Sequence, residues 1–368
     1  MQPKLHYDLR DILAVPARAL SAKQILIMTV GLIIALIFYN SAYYLAHLLA
    51  GSNLTALFAA KSFLPSPLSA PVTFWSGLLI AMGIVMAILT IMLSSLATAA
   101  INVERIRGNR FMTFSDGIRY ALSRWRQIAL AEIGIILFIL FAVLLFVIAG
   151  LLGRIPYLGE WIYAAFFLIP AFFSGLFTVL VITVLVVSTV IMPAVAAVEM
   201  SRESFDLILE TFSVIIRQPF RWLGYSMLLL LLAKVGSFIY AYAAFRTVQF
   251  MTAAVSISDS GRMHNLIGQA LGHLPVDYDL VYGIFNLFPG IDFGVNVMQY
   301  ATHTPSSAAA YLLSAMLFLI LASIAGYAMN IIAVGQAYAY IIICNEKDAL
   351  CINDAHCVDK VTPPRDAK

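Results

Sequence analysis

The run Ile191 to Leu232, IMPAVAAVEMSRESFDLILETFSVIIRQPFRWLGYSMLLLLL, makes the chain change its surroundings twice within one unit. An apolar run ends at Pro193-Ala194-Val195, an amphipathic stretch follows, and Arg217, Gln218, Pro219 and Arg221 precede a second apolar run. Phe205, Ile208, Leu209, Phe212, Ile215 and Ile216 recur at helical spacing, with Asp206, Glu210 and Ser213 on the other side. That division predicts a helix lying on a membrane surface, anchored by Phe212, Arg217 and Arg221. Pro219 cannot continue this helix but suits the first turn of the next, so the chain bends there and enters the bilayer.

The same unit occurs earlier. In Thr113 to Gln127, Phe114, Ile118, Ala121, Leu122 and Trp125 share one helical face, and Arg126-Gln127 opens a long apolar run. Phe114 aligns with Phe205 and Arg126-Gln127 with Arg217-Gln218, without a gap. A fainter copy opens the chain, where Leu9, Ile12, Leu13, Pro16 and Leu20 lead to Lys23-Gln24 and a third apolar run. Three such units imply a threefold internal repeat. We divide the chain into repeat 1 (1–101), repeat 2 (102–198), repeat 3 (199–345, with a long outer loop at 246–307) and a tail (346–368).

A chain of 368 residues that is 62% hydrophobic and 11% charged cannot bury its apolar runs in one soluble core. The expected fold is an all-α integral membrane protein of about six transmembrane helices with amphipathic cytoplasmic surface helices. The expected spans are 25–50, 73–101, 128–152, 172–191, 222–245 and 308–343, with Pro170 and Pro193 marking where the fourth apolar stretch kinks or leaves the lipid. The first 23 residues are too long, and the next apolar run too extended, for a cleaved signal peptide. Of the 22 Lys and Arg, 17 fall on the side that holds both termini and 4 on the other, which places both termini in the cytoplasm. The net charge of +3 is small and unevenly placed, and argues for topology and anionic lipid on the cytoplasmic side, not for nucleic acid. In the outer loop, Met263, Leu266, Ile267, Ala270 and Leu271 have helical spacing, and 280–289 is rich in Tyr, Phe and Leu.

Glu132, early in the third span, and Lys234, deep in the fifth, are costly in lipid and are therefore candidate functional charges. Their depths differ by roughly 16 Å at 1.5 Å per residue, too far for a salt bridge. Glu132 can pair with Arg or Gln at the cytoplasmic edge, and Lys234 can snorkel or contact Asn330 or a carbonyl. Asn330 and Gln336 are expected to face other helices. The tail brings together Cys344, Cys351, His356 and Cys357, which could ligate zinc or iron, but no Cys-x-x-Cys pair is present. Free thiols, with Cys344 at the membrane edge open to acylation, are the expected state, and no cofactor is expected. Signatures of hydrolases, zinc proteases and phosphate-binding loops are absent, so an enzyme is not expected.

Pro193-Ala194-Val195, Glu199 and the following SFDLILETFSVIIRQPFRWLGY resemble a broad group of bacterial membrane proteins that includes the membrane domain of some glycerophosphoryl diester phosphodiesterases. The resemblance covers 191–232 and, more loosely, 112–145. The catalytic barrel of those phosphodiesterases has no counterpart here, so no catalytic residue is carried over. It implies a bacterial inner-membrane location and an accessory or scaffolding role.

Two functions are open at this point. One is a non-catalytic subunit that organises a larger inner-membrane assembly or its lipids, with other membrane subunits or further copies of itself as partners. The alternative is a transporter or channel for a small or lipidic substrate. The topology has a direct check: in a variant with the native cysteines replaced, cysteines at Ser115 and Ser213 should label from the cytoplasm and one at Ser260 from outside. Cytoplasmic labelling at Ser260 would overturn six spans.

Overall fold

The computed structural model describes residues 5–51, 65, 73–109, 111–152, 155, 158–162, 164, 168–199, 203–257, 262–274 and 307–348. Among the described residues there are α-helices and no β-strand. Six helices are long and apolar enough to cross a membrane: α3 (Ala22–Leu49), α4 (Phe74–Ile106), α6 (Trp125–Leu152), α8 (Leu168–Val198), α10 (Pro219–Ser256) and α12 (Ala308–Asp348). The shorter ones are α1 (Leu9–Leu13), α2 (Val15–Ala19), α5 (Phe114–Ser123), α7 (Leu158–Ile162), α9 (Ser204–Arg217) and α11 (Arg262–Gly272).

The long helices form three hairpins, α3 with α4, α6 with α8 and α10 with α12. Small residues bring α3 and α4 together: a Cβ on Gly83 would fall 2.3 Å from that of Ala42, and one on Gly31 would fall 1.9 Å from the Ser94 hydroxyl. The second helices of the hairpins, α4, α8 and α12, pack on one another. Their C-terminal segments carry the core, since every residue of 96–103, 191–198 and 333–345 is buried. The hairpins therefore converge at this end, where α1, α2, α5 and α9 also lie. Here α5 rests on α4, α9 on α8, and α1 and α2 on α12.

The hairpins do not meet equally. Besides its partner α4, α3 packs on α12, whereas the close packing of α6 onto another span is with α8 alone and that of α10 with α12 alone. Along α8 before Ile191 one strip, through Thr178, Val181, Val184 and Ser188, is buried, while Phe172, Leu176, Val179 and Val186 are exposed. The α6–α8 hairpin is thus held chiefly at the converging end.

Several boundaries differ from expectation. Helix α8 runs through Pro193 to Val198 instead of ending there, because this segment is enclosed by other helices and not presented to water. The fifth span continues to Ser256, so the outer stretch is shorter than 246–307. Its predicted helix is α11, packed on α10 and α12, and 280–289 lies outside the described residues.

The apolar stripes of the short helices are split. In α9 the buried residues are Leu207, Thr211 and Val214, with Ile208 and Phe212 packed against the core, whereas Phe205, Leu209 and Ile216 are exposed. In α5, Gly117 and Ala121 are buried and Leu122 is exposed, as is Trp125 at the start of α6. In α1 and α2 the buried apolar residues are Ile12, which the expected stripe included, with Val15 and Ala19, while Leu9, Leu13 and Leu20 are exposed. Hydrophobicity marks what avoids water and does not separate protein contact from other apolar surroundings.

The α3–α12 contact is set by Gly326, where a Cβ would meet Thr29 Oγ1 at 2.5 Å and the Thr29 backbone nitrogen at 3.0 Å. A backbone cannot move aside as a side chain can. Gly326→Ala should lower thermal stability in detergent by about 1 to 3 kcal/mol, whereas Gly150→Ala and Gly175→Ala, with nothing within 4 Å, should leave it unchanged.

Candidate functional site at the converging end

Helix α8 ends inside the protein, so its last carbonyls need donors other than water. Arg124 donates to the carbonyls of Ala196 at 2.9 Å and Glu199 at 3.1 Å, Arg107 donates to Val198 at 2.8 Å, and the Tyr120 hydroxyl donates to Ala196 at 3.2 Å. Two guanidinium groups also complement the negative end of the helix dipole. The Glu199 carboxylate beyond the helix accepts from the Tyr340 hydroxyl on α12 at 2.8 Å. One helix end thus joins all three hairpins.

Two further polar groupings bind the hairpins. Asn330 and Tyr327 of α12 donate to the carbonyls of Ala19 and Pro16 at the end of α2, at 2.8 and 2.9 Å. Buried Asp11 pairs with Arg18 at 2.9 Å, and that guanidinium stacks 4.6 Å from the Tyr338 ring. Gln336 accepts from the Trp222 indole at 3.0 Å and donates to Ser226 at 2.9 Å. Asn330 and Gln336 face other helices, as expected.

The basic-plus-glutamine pairs are alike in their glutamines but not in their basic residues, since Lys23 is half-buried and donates to the Met112 carbonyl at 2.7 Å. Gln24 and Gln127 are buried, and the Gln218 carbonyl oxygen is shielded from solvent, while Arg126 and Arg217 are exposed. In the helical pair Arg126-Gln127, adjacent residues point about 100° apart, so the glutamine turns inward while its basic neighbour turns out.

Between α6, α8 and α9 lies a cleft of about 240 Å³, lined by Gln127, Val195, Glu199, Asp206, Leu207, Leu209 and Glu210. It is rich in acceptors and floored by apolar side chains. Its residues do not include a nucleophile with a base.

Glu132 and Lys234 lie on α6 and α10, which do not pack closely. Glu132 is half-buried and meets the Ser188 hydroxyl of α8 at 2.8 Å. This replaces the expected pairing with Arg or Gln at the membrane edge, because the side chain faces the hairpin partner. Lys234 is half-buried, and Asn330, its expected neighbour, is bonded to Ala19 and Gln24 instead. Phe212 is partly buried, and Arg221 is exposed like the other two anchoring arginines. Cys344 is buried within the core at 4% exposure, which corrects the expectation of an accessible edge thiol. Cys351, His356 and Cys357 lie outside the described residues.

In sequence Arg107 and Arg124 read as part of a basic run, with Arg105, Arg110, Arg119 and Arg126, expected at anionic head groups instead of at helix-end carbonyls, and Tyr120 and Tyr340 had no reading. One signal could have found them: Glu104, Glu199 and Glu346 each stand at the end of a second span, where helix-end chemistry is needed.

Comparison of the chain with protein families, with curated proteins and with solved structures finds no match. The fold and its apolar helices define the class, an all-α multi-pass membrane protein.

Arg124→Met removes two charge-assisted bonds to buried carbonyls and should cost about 1 to 3 kcal/mol, whereas Arg126→Met should cost little. Helix α5, which positions Arg124, starts at a capping box in which the Thr113 hydroxyl donates to Asp116 at 2.6 Å and the Thr113 backbone N–H donates at 3.0 Å. These bonds hold the Asp116 carboxyl below the usual carboxylate range. A depressed acid contributes its stability above its ordinary value, roughly pH 4, and loses it as pH falls through the depressed one. Thr113→Val removes the hydroxyl bond and leaves the backbone one, so it should reduce that part of the acid sensitivity of thermal unfolding without abolishing it.

Proposed function

We propose that the protein is a non-catalytic subunit of a bacterial inner membrane, with both termini cytoplasmic, that organises or stabilises a larger assembly or its lipids. The observation that carries this reading is where the polar side chains go. Asn330, Gln336, Tyr327, Arg107 and Arg124 are engaged in joining helices or capping helix ends. Groups committed in this way build a rigid frame and do not line a path for a solute.

The frame is a threefold repeat closed into a ring. Support comes from the order of packing: each repeat's short helices rest on both spans of the repeat before it, α5 on α4 and α3, α9 on α8 and α6, and α2 on α12 and α10. The third relation closes the circle, from the start of the chain to its last hairpin.

The short helices are in-plane surface helices. On α9, Leu207, Thr211 and Val214 face protein, Phe205 and Ile216 face the lipid at the side, Leu209 and Asp206 line the cleft against α6 and α8, and Arg217 faces water. The exposed arginines at the same level, Arg126, Arg217 and Arg221, meet anionic head groups. The bacterial setting rests on the resemblance of 191–232 to phosphodiesterase membrane domains.

Transport is favoured by the presence of Glu132 and Lys234 within spans. Lys234→Met separates the readings: in vesicles it should leave folding and co-purifying partners intact, and loss of a flux in a properly assembled protein would replace the scaffold by a transporter. Purification in mild detergent, with identification of what co-migrates, tests the scaffold itself. Phe212→Asp should cost on the order of 2 to 3 kcal/mol and release a partner bound at α9 before the protein unfolds, whereas Glu210→Gln should be tolerated. Equal tolerance of both would sink the surface-helix reading.

A further inference from the structure

Gln24 of α3 and Asn330 of α12 meet at the seam where the last hairpin packs on the first, and both are wholly buried. The Asn330 amide nitrogen donates to the Ala19 carbonyl at 2.8 Å and, at a longer 3.5 Å, to the Gln24 amide oxygen. Among the described residues the other atom of each amide finds no partner: Asn330 Oδ1 has no donor and Gln24 Nε2 no acceptor. Buried polar atoms are costly to leave unpaired, and folded proteins rarely leave them so.

Turning the amides round does not mend this. A flipped Asn330 would set its oxygen against the Ala19 carbonyl oxygen, acceptor on acceptor, in place of the 2.8 Å bond. With Asn330 fixed in this way, a flipped Gln24 would set its nitrogen against the Asn330 nitrogen, donor on donor. The Ala19 carbonyl thus orients Asn330, Asn330 orients Gln24, and the series ends with one NH2 group and one oxygen still to be matched.

These two groups specify what fits between them. The occupant has to accept from an amide N–H and donate to an amide oxygen. An anion would face Asn330 Oδ1, and a metal cation would face the Gln24 NH2 group. The charged neighbours in the chain are committed elsewhere: Lys23 donates to the Met112 carbonyl, and Arg18, paired with Asp11, lies over Tyr338, about two helical turns along α12 from Asn330. Complete burial of both side chains selects the smallest neutral molecule that accepts and donates at once. We infer that the seam holds a resident water, which accepts from Gln24 Nε2 and donates to Asn330 Oδ1. The contact between the start of the chain and its last hairpin then includes solvent as a structural part, whether the protein scaffolds or transports.

The test is nuclear magnetic resonance of the full chain in detergent micelles, with nitrogen-15 in the glutamine side chains. The Gln24 NH2 protons should show a cross-peak to water whose sign is opposite in laboratory-frame and rotating-frame transfer, the mark of a water that tumbles with the protein. The exposed Gln249 should show only exchange with bulk solvent, of one sign in both. Gln24→Met should abolish the first signal. Tyr327→Phe and Thr29→Val remove hydroxyl protons from the same seam that would otherwise relay exchange, and should leave it in place. The wild type is decisive even where a variant fails to fold, because Gln24 is then assigned through its own backbone. A Gln24 signal of the bulk type, no water signal at Gln24 while Gln249 exchanges, or a coupling across a hydrogen bond from the Gln24 N–H to a protein carbonyl would overturn the site.

Discussion

A helix that ends inside a protein leaves carbonyls that water cannot reach, and the end of α8 is where this chain meets that constraint. Arg107 and Arg124 come from the segment that follows α4, Tyr120 from α5, and the Glu199 carboxylate just beyond is taken up by α12. Satisfying one backbone terminus therefore fixes the position of three hairpins relative to each other. The neighbouring helix ends follow the same rule with neutral donors, as when Asn330 and Tyr327 reach the end of α2.

That requirement accounts for the uneven distribution of the core. The enclosed segments 96–103, 191–198 and 333–345 are those next to the helix ends. Away from them the spans face lipid, where apolar exposure carries no penalty. Long apolar helices with thin mutual contact are stable in a bilayer for that reason, although they would not be in water.

Much of the architecture was legible because it follows from hydropathy, which the bilayer reads directly. The six spans and the bend at Pro219 belong to this part, whereas the first surface helix, expected to be continuous, is broken in two with Pro16 at the start of its second half. Pro193 misled, since a proline ends a helix only where nothing else holds the backbone, and here the surrounding helices hold it. The short helices were visible as amphipathic, but their stripes did not reveal which apolar residues would touch protein. Leu207 and Val214 went inward while Phe205 and Leu209 stayed out, a choice made by neighbours distant in sequence. The helix-end bonds of Arg124 and Arg107 were hidden for the same reason: an arginine near a membrane edge has the same local sequence context whether it meets lipid or a carbonyl 72 or 91 residues away.

The α6–α8 hairpin, gripped at one end and bare along the rest, is mechanically a cantilever. Its arm α6 has 28 residues, about 42 Å at 1.5 Å per residue, so a tilt of about 5° at the clamp moves the far tip by about 4 Å. The stiffness of that clamp resides in a few hydrogen bonds to α8 carbonyls and the packing around Pro193.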